Sequence, residues 1–190
     1  MSVIYMQYQK VPESVLNPTP FSTPASIPLL MKIESQYHKA IRLSLLARLR
    51  ESGLDPMSSH DADHPEIHFY HGSKPEERIH LADPDILVQD DNRFLAIEIE
   101  LSLSPKHLLG VAFAVSRCTH YKVGDGEMLP LGKFDFLLVV PSTEVKKKGS
   151  HRPKQLQFVE DALQGLADFK SAHIVADDMV WECLKKWQDG

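Results

Sequence analysis

Apolar positions recur at helical spacing between Leu29 and Ser52. Leu30, Tyr37, Ile41, Leu45 and Leu49 form one stripe, and Gly53 offers a stop. A polar, His-rich link, "DPMSSHDADHPE", follows, and the pattern then switches to strands: "IHFYHG", "ERIHLADPDILVQ" and "RFLAIEIELS". Ser104-Pro105 reads as an N-cap with proline in the first turn. The helix it opens, "KHLLGVAFAVSRCTHY", is apolar on most sides and is expected to be buried against a sheet. "FDFLLVVPS" reads as a fully buried strand, "PKQLQFVEDALQGLADF" as an amphipathic helix and "SAHIVA" as a last strand. "DDMVWECLKKWQ" reads as a closing helix capped by Asp177 or Asp178.

The predicted order is α-β-β-β-α-β-α-β-α. A meander followed by helix-linked strands implies an α/β fold, a mixed central sheet flanked by helices on both faces. The segments linking the later strands are long enough for crossovers to parallel neighbours. Residues 1–28 hold five of the 13 prolines and little periodicity, so they read as an extended arm preceding one domain, 29–190.

With 190 residues, 43% hydrophobic and 25% charged, the chain suits a single core. No apolar run approaches the roughly 20 residues needed to span a membrane. The first residues lack the basic start and apolar centre of a secretory signal. Cys118 and Cys183 form no disulfide framework or redox spacing. A cytoplasmic location without membrane contact is the expectation. The net charge of −5 argues against a broad nucleic-acid coat. A local basic groove remains compatible with an acidic body, and "KKKGSHRPK" (Lys146 to Lys154) is the one basic cluster. A solvated loop is the plainer reading of it.

Chemistry enters at "DPDILVQDDNRFLAIEIELS", residues 83–102. If Asp91-Asn92 form a two-residue turn, opposed positions sum to 183: Gln89 faces Phe94, Leu87 faces Ala96, and Asp85 faces Glu98. Alternation puts Glu100 on the face of Glu98. Three carboxylates within about 5–8 Å of one another repel unless a counter-charge is present. A divalent cation resolves the conflict, and Mg²⁺ prefers such oxygen ligands. An exposed hairpin with its acids in solvent is the alternative.

These residues resemble the PD-(D/E)XK nuclease superfamily, which includes many restriction enzymes and DNA-repair nucleases. Pro84-Asp85 matches the first half of the motif at a strand start. Glu98-Ile99-Glu100 lies 13 residues later in the position of the second half, with a buried helix following. The resemblance covers roughly Leu30 to Ser142 and implies a restriction-endonuclease-like α-β-β-β-α-β core. It implies a Mg²⁺-dependent DNA endonuclease (Mn²⁺ substituting) with Asp85, Glu98, Ile99 and Glu34 at the metal. Glu100 stands where the family has lysine and would hold a second metal or position the water. Lys106, in the first turn of the next helix, is the candidate for the displaced cation. Arg117 and Tyr121, four apart on that helix, resemble a pair that some members aim at the site. Lys146, Lys147, Lys148, Arg152 and Lys154 would contact the DNA backbone. Cleavage of both strands would favour a two-fold homodimer.

"AIEIELS" also resembles plasmid replication-relaxation proteins, whose strand often reads Glu-Val-Glu-Leu-Ser. A non-catalytic DNA-binding accessory protein in plasmid maintenance, replication or transposition is therefore the second expectation. A protein-interaction domain using the N-terminal arm is a third. His60, His64, His68, His71 and His80 crowd one segment, with Asp61 and Asp63 among them, yet fit no standard zinc spacing. Alternation would scatter their rings across faces.

Overall fold

The computed structural model describes residues 35–60, 65–72, 74, 76–91, 93–146 and 151–189. The expected N-terminal arm and Glu34 lie outside the described residues. Helix α1 (Gln36–Glu51) begins where the Ser35 hydroxyl accepts the His38 amide at 3.1 Å. It ends before Gly53, whose φ of 85° lies in the left-handed region that glycine tolerates best. Leu45 and Leu49 of the anticipated stripe are buried, together with Leu46 and Arg42.

The central sheet has five strands in the order β1-β4-β5-β8-β9. They are β1 (Asp55–Met57), β4 (Ile86–Asp90), β5 (Arg93–Ile99), β8 (Asp135–Val140) and β9 (Ser171–Ala176). β4 runs antiparallel to both of its neighbours, β1 and β5, whereas β8 runs parallel to both β5 and β9. Helix α2 (Pro105–Ser116) lies on the chain between β5 and β8. Helices α3 (Ser142–Val145) and α4 (Arg152–Gln164) lie between β8 and β9. Helix α5 (Val180–Gln188) closes the chain.

Side chains alternate across this sheet and feed two cores. Leu87, Ala96, Phe136 and Leu138 pack with Leu108 and Val115 of α2 and Val159 of α4. Ile86, Val88, Leu95, Ile97, Leu137 and Val139 pack with Leu45 and Leu49 of α1 and Leu184 of α5. The mixed sheet flanked by helices is thus as the apolar pattern anticipates.

Five details differ from the expectation. Strand β1 forms within the segment read as a polar link, and Pro56 is tolerated because β1 is an edge. "ERIHLADPDILVQ" is two strands, β3 (Ile79–Ala82) and β4, because the chain bends at Asp83–Asp85 around Pro84. β3 joins β2 (Ile67–His71), β6 (His120–Val123) and β7 (Leu129–Pro130) in a second, antiparallel sheet of order β3-β2-β6-β7. Helix α2 stops at Ser116, so Tyr121 lies on β6 rather than on a helix with Arg117. Finally, α5 starts at Val180, and Asp177 serves elsewhere, accepting the Ser142 amide at 2.9 Å and the Tyr37 hydroxyl.

Among the described residues no helix is long and apolar enough to cross a membrane.

Candidate functional site

The β4–β5 hairpin turns at Asp91, whose φ is 49°. Its pairs, Asp90↔Arg93, Gln89↔Phe94, Leu87↔Ala96 and Ile86↔Ile97, follow the anticipated register. Asp85 lies one residue before β4. The Glu100 amide bonds Val139 of β8 at 2.8 Å, so the Ile99 amide, one residue earlier, faces the β4 side. There the Asp85 carboxylate accepts it at 2.7 Å, taking the place a further β4 carbonyl would occupy. Asp85 is only 5% exposed.

Two imidazoles meet the same carboxylate. His38 Nε2 on α1 lies 3.1 Å from Oδ2, and His60 Nε2 lies 3.4 Å from Oδ1. The rings stand edge-on at 6.3 Å. The loop carrying His60 is pinned on both sides. The buried Arg42 guanidinium donates to Ser58 Oγ at 3.2 Å, and Ser59 Oγ donates to Pro84 O at 2.7 Å. Burial by itself would raise the pKa of Asp85. The hydrogen bonds of His38 and His60, the His38 charge and the Ile99 amide outweigh it and hold the carboxyl down at about 2.

Glu98 projects from β5 on the α2 side of the sheet, the side of Ala96. Burial, and then the Glu98 carboxylate, push the Cys118 thiol up to about 12. Glu98 and Glu100 line an open cavity of about 650 Å³ together with Asp83, Ser104, Lys106 and His107. His107 Nε2 stands 2.8 Å from the Glu100 carboxylate. A neighbouring cavity of about 540 Å³ shares Ser104 with the first and reaches Glu144 and Arg152.

Comparison with protein-family models, with curated proteins and with solved structures returns no match.

The sequence candidates thus fall into three groups. Asp85, Ile99, Glu98, Glu100 and Lys106 gather at one end of the β4–β5 hairpin. Asp85, Glu98 and Glu100 do not all come within 4.8 Å of one another; among the described residues, His68, His80 and Asp83 do. Arg117 lies in a different depression with His71 and Cys118 and pairs with Asp168 at 3.1 Å. Tyr121 is buried in the core, edge-on to Phe94 at 5.4 Å. The expected pairing of these two along one helix face therefore fails, because α2 ends before either. Of the basic cluster, Lys146 pairs with Asp178 and Arg152 with Glu144. Lys154 is exposed in the first turn of α4, while Lys147 and Lys148 lie outside the described residues.

His38, His60 and His107 were not among the sequence candidates for this site. A signal for His38 existed, since Ile41 and Leu45 of the apolar stripe lie three and seven residues on, which puts it on the same helix side. Nothing local signals His60, which reaches Asp85 across 25 residues of chain.

Proposed function

We propose that the chain is a divalent-metal-dependent nuclease acting on DNA, with a restriction-endonuclease-like core. The observation carrying this reading is the hairpin end, where Asp85 is held ionised on the Ile99 amide and Glu98 and Glu100 open into one cavity. The order of α1, β1, β4, β5, α2 and β8 further supports it, being α-β-β-β-α-β once the second sheet is set aside as insertions.

In this reading the Asp85 and Glu98 carboxylates would hold a hard divalent ion, which takes oxygen ligands of that kind. Such an ion, when bound, supplies Lewis-acid stabilisation of phosphate charge and a more acidic water. The remaining roles belong to the chain. Lys106, at the rim of the cavity, and Arg152, beside the neighbouring one, attract the phosphate backbone. In this reading the Glu100 carboxylate accepts the proton of an attacking water, with His107 Nε2–H donating to it. Ser59 and Arg42 hold the loops that keep Asp85 and His60 in register.

One observation favours a non-catalytic DNA-binding accessory instead: the position the resemblance assigns to lysine holds Glu100, already paired to His107. Incubation of supercoiled plasmid with Mg²⁺, Mn²⁺ or chelator separates the two. Metal-dependent nicking that disappears in Glu98→Gln supports the nuclease. A gel shift without cutting supports the accessory, and neither result in low salt removes both.

A further inference from the structure

The second sheet carries a cluster that the nuclease reading does not use. On β2, His68 and Tyr70 point to one side, and Tyr70 is paired with His80 of β3. A register shift between Phe69 and Tyr70 leaves His68 and His80 with ring centroids 5.4 Å apart, nearly perpendicular. Asp83, just beyond β3, then directs one oxygen at both rings. Its Oδ1 lies 2.7 Å from His68 Nδ1 and 2.6 Å from His80 Nε2. The other nitrogen of His68 faces a second carboxylate, Glu66 Oε2, at 3.4 Å.

That arrangement sets a carboxylate oxygen against each ring nitrogen of His68. A neutral imidazole has one N–H, so His68 satisfies Glu66 or Asp83 but not both. With Nε2–H turned to Glu66, the Nδ1 lone pair confronts the Asp83 oxygen at 2.7 Å. A second proton on the ring removes the conflict, and so does a cation bound between the three groups. The cation leaves Glu66 in the position of the outer carboxylate that orients a metal-binding imidazole.

We propose that His68, His80 and Asp83 bind a first-row transition-metal ion, with Zn²⁺ as the reference ligand and Glu66 orienting His68. Two imidazole nitrogens and one carboxylate oxygen suit Zn²⁺ and its neighbours, and suit Mg²⁺ poorly. Their three ligand atoms already lie within 4.8 Å of one another. Around a tetrahedral ion, neighbouring ligand atoms stand about 3.3 Å apart, so Asp83 has to withdraw by less than about 1 Å. The half-exposed setting leaves the fourth position to water. The ion would tie β2, β3 and the Asp83–Asp85 bend together, and Asp83 also lines the cavity of Glu98 and Glu100. This site is independent of the nuclease reading, since its test reads metal binding rather than cleavage.

The experiment uses the full chain, stripped with chelator and dialysed. Zn²⁺ affinity is measured by competition with a chromophoric chelator, and Co²⁺ by its visible absorption. Expected is one equivalent bound, with affinity lowered more than about tenfold in His80→Ala and Asp83→Asn and retained in His38→Ala. His80 is 47% exposed, so its replacement should leave the fold intact, checked by far-UV circular dichroism. Failure of the wild type to bind Zn²⁺ or Co²⁺, equal affinity in His80→Ala, or loss in His38→Ala instead would each overturn the proposal.

Discussion

The Ile99 amide donates to the Asp85 carboxylate at 2.7 Å, joining the residue just before β4 to the last residue of β5. One buried side chain thereby ends a strand ladder and collects two imidazoles. The consequences of that arrangement are measurable.

The first is acid sensitivity. The Asp85 carboxyl is held at about 2 against an ordinary 3.8, so the folded state binds its proton less readily than the unfolded chain. The stabilisation is complete above pH 3.8 and disappears as pH falls towards 2. Relative to Asp85→Asn, the wild type should lose about 2 kcal/mol across that window. Urea denaturation of both proteins at pH 5, 4, 3 and 2.5 measures it, and parallel curves would contradict the assignment.

Cleavage gives the second. If the hairpin end is the nuclease site, Asp85→Asn and Glu98→Gln should each reduce Mn²⁺-supported plasmid nicking by about 100-fold or more. Glu98→Gln should do so with little change in melting temperature, because its side chain opens into the cavity rather than the core.

Lys106 tests the displaced cation. Being exposed at the rim of the cavity, it should be replaceable by alanine at a stability cost within about 0.5 kcal/mol. Nicking should nevertheless fall roughly tenfold, a rise of about 1.4 kcal/mol in the rate-limiting barrier. Unchanged nicking in Lys106→Ala would assign that lysine to solvent.

Ser59→Ala addresses the pin on the bend. It removes the hydroxyl that donates to Pro84 O at 2.7 Å and approaches Ile67 O at 3.1 Å. The expected cost is about 1 kcal/mol by denaturant titration. Faster hydrogen exchange at the Ile99 amide, whose acceptor is Asp85, should accompany it. An unaltered exchange rate would mean that the bend is held by its other contacts.

Much of this architecture follows from local rules. Turn chemistry at Asp91-Asn92 together with strict alternation sets the β4–β5 register, and therefore brings Asp85 and Glu98 to the same end of the hairpin. The apolar run of β8 demands burial on both faces, which forces helices onto both sides of the sheet. Gly53 and Ser104-Pro105 mark helix boundaries through their own backbone preferences. These features depend on residues close in sequence, where periodicity and dihedral preference act directly.

Other features depend on which strand a segment chooses as neighbour, and local pattern is silent there. β2 and β3 alternate as any strand does, yet they pair with each other, and β2 with β6, in a second sheet because the chain bends at Pro84. Residues 117–121 are expected to extend helix α2, but 120–123 pairs with β2 instead. That exchange separates Arg117 from Tyr121, while the β2–β3 pairing brings His68 beside His80 across a register shift. His38 and His60 reach Asp85 because α1 packs over β4 and β5 and because Arg42 and Ser59 anchor the intervening loop. The carboxylates of the hairpin were legible in the chain; the imidazoles that meet them were assembled by packing between residues distant in sequence.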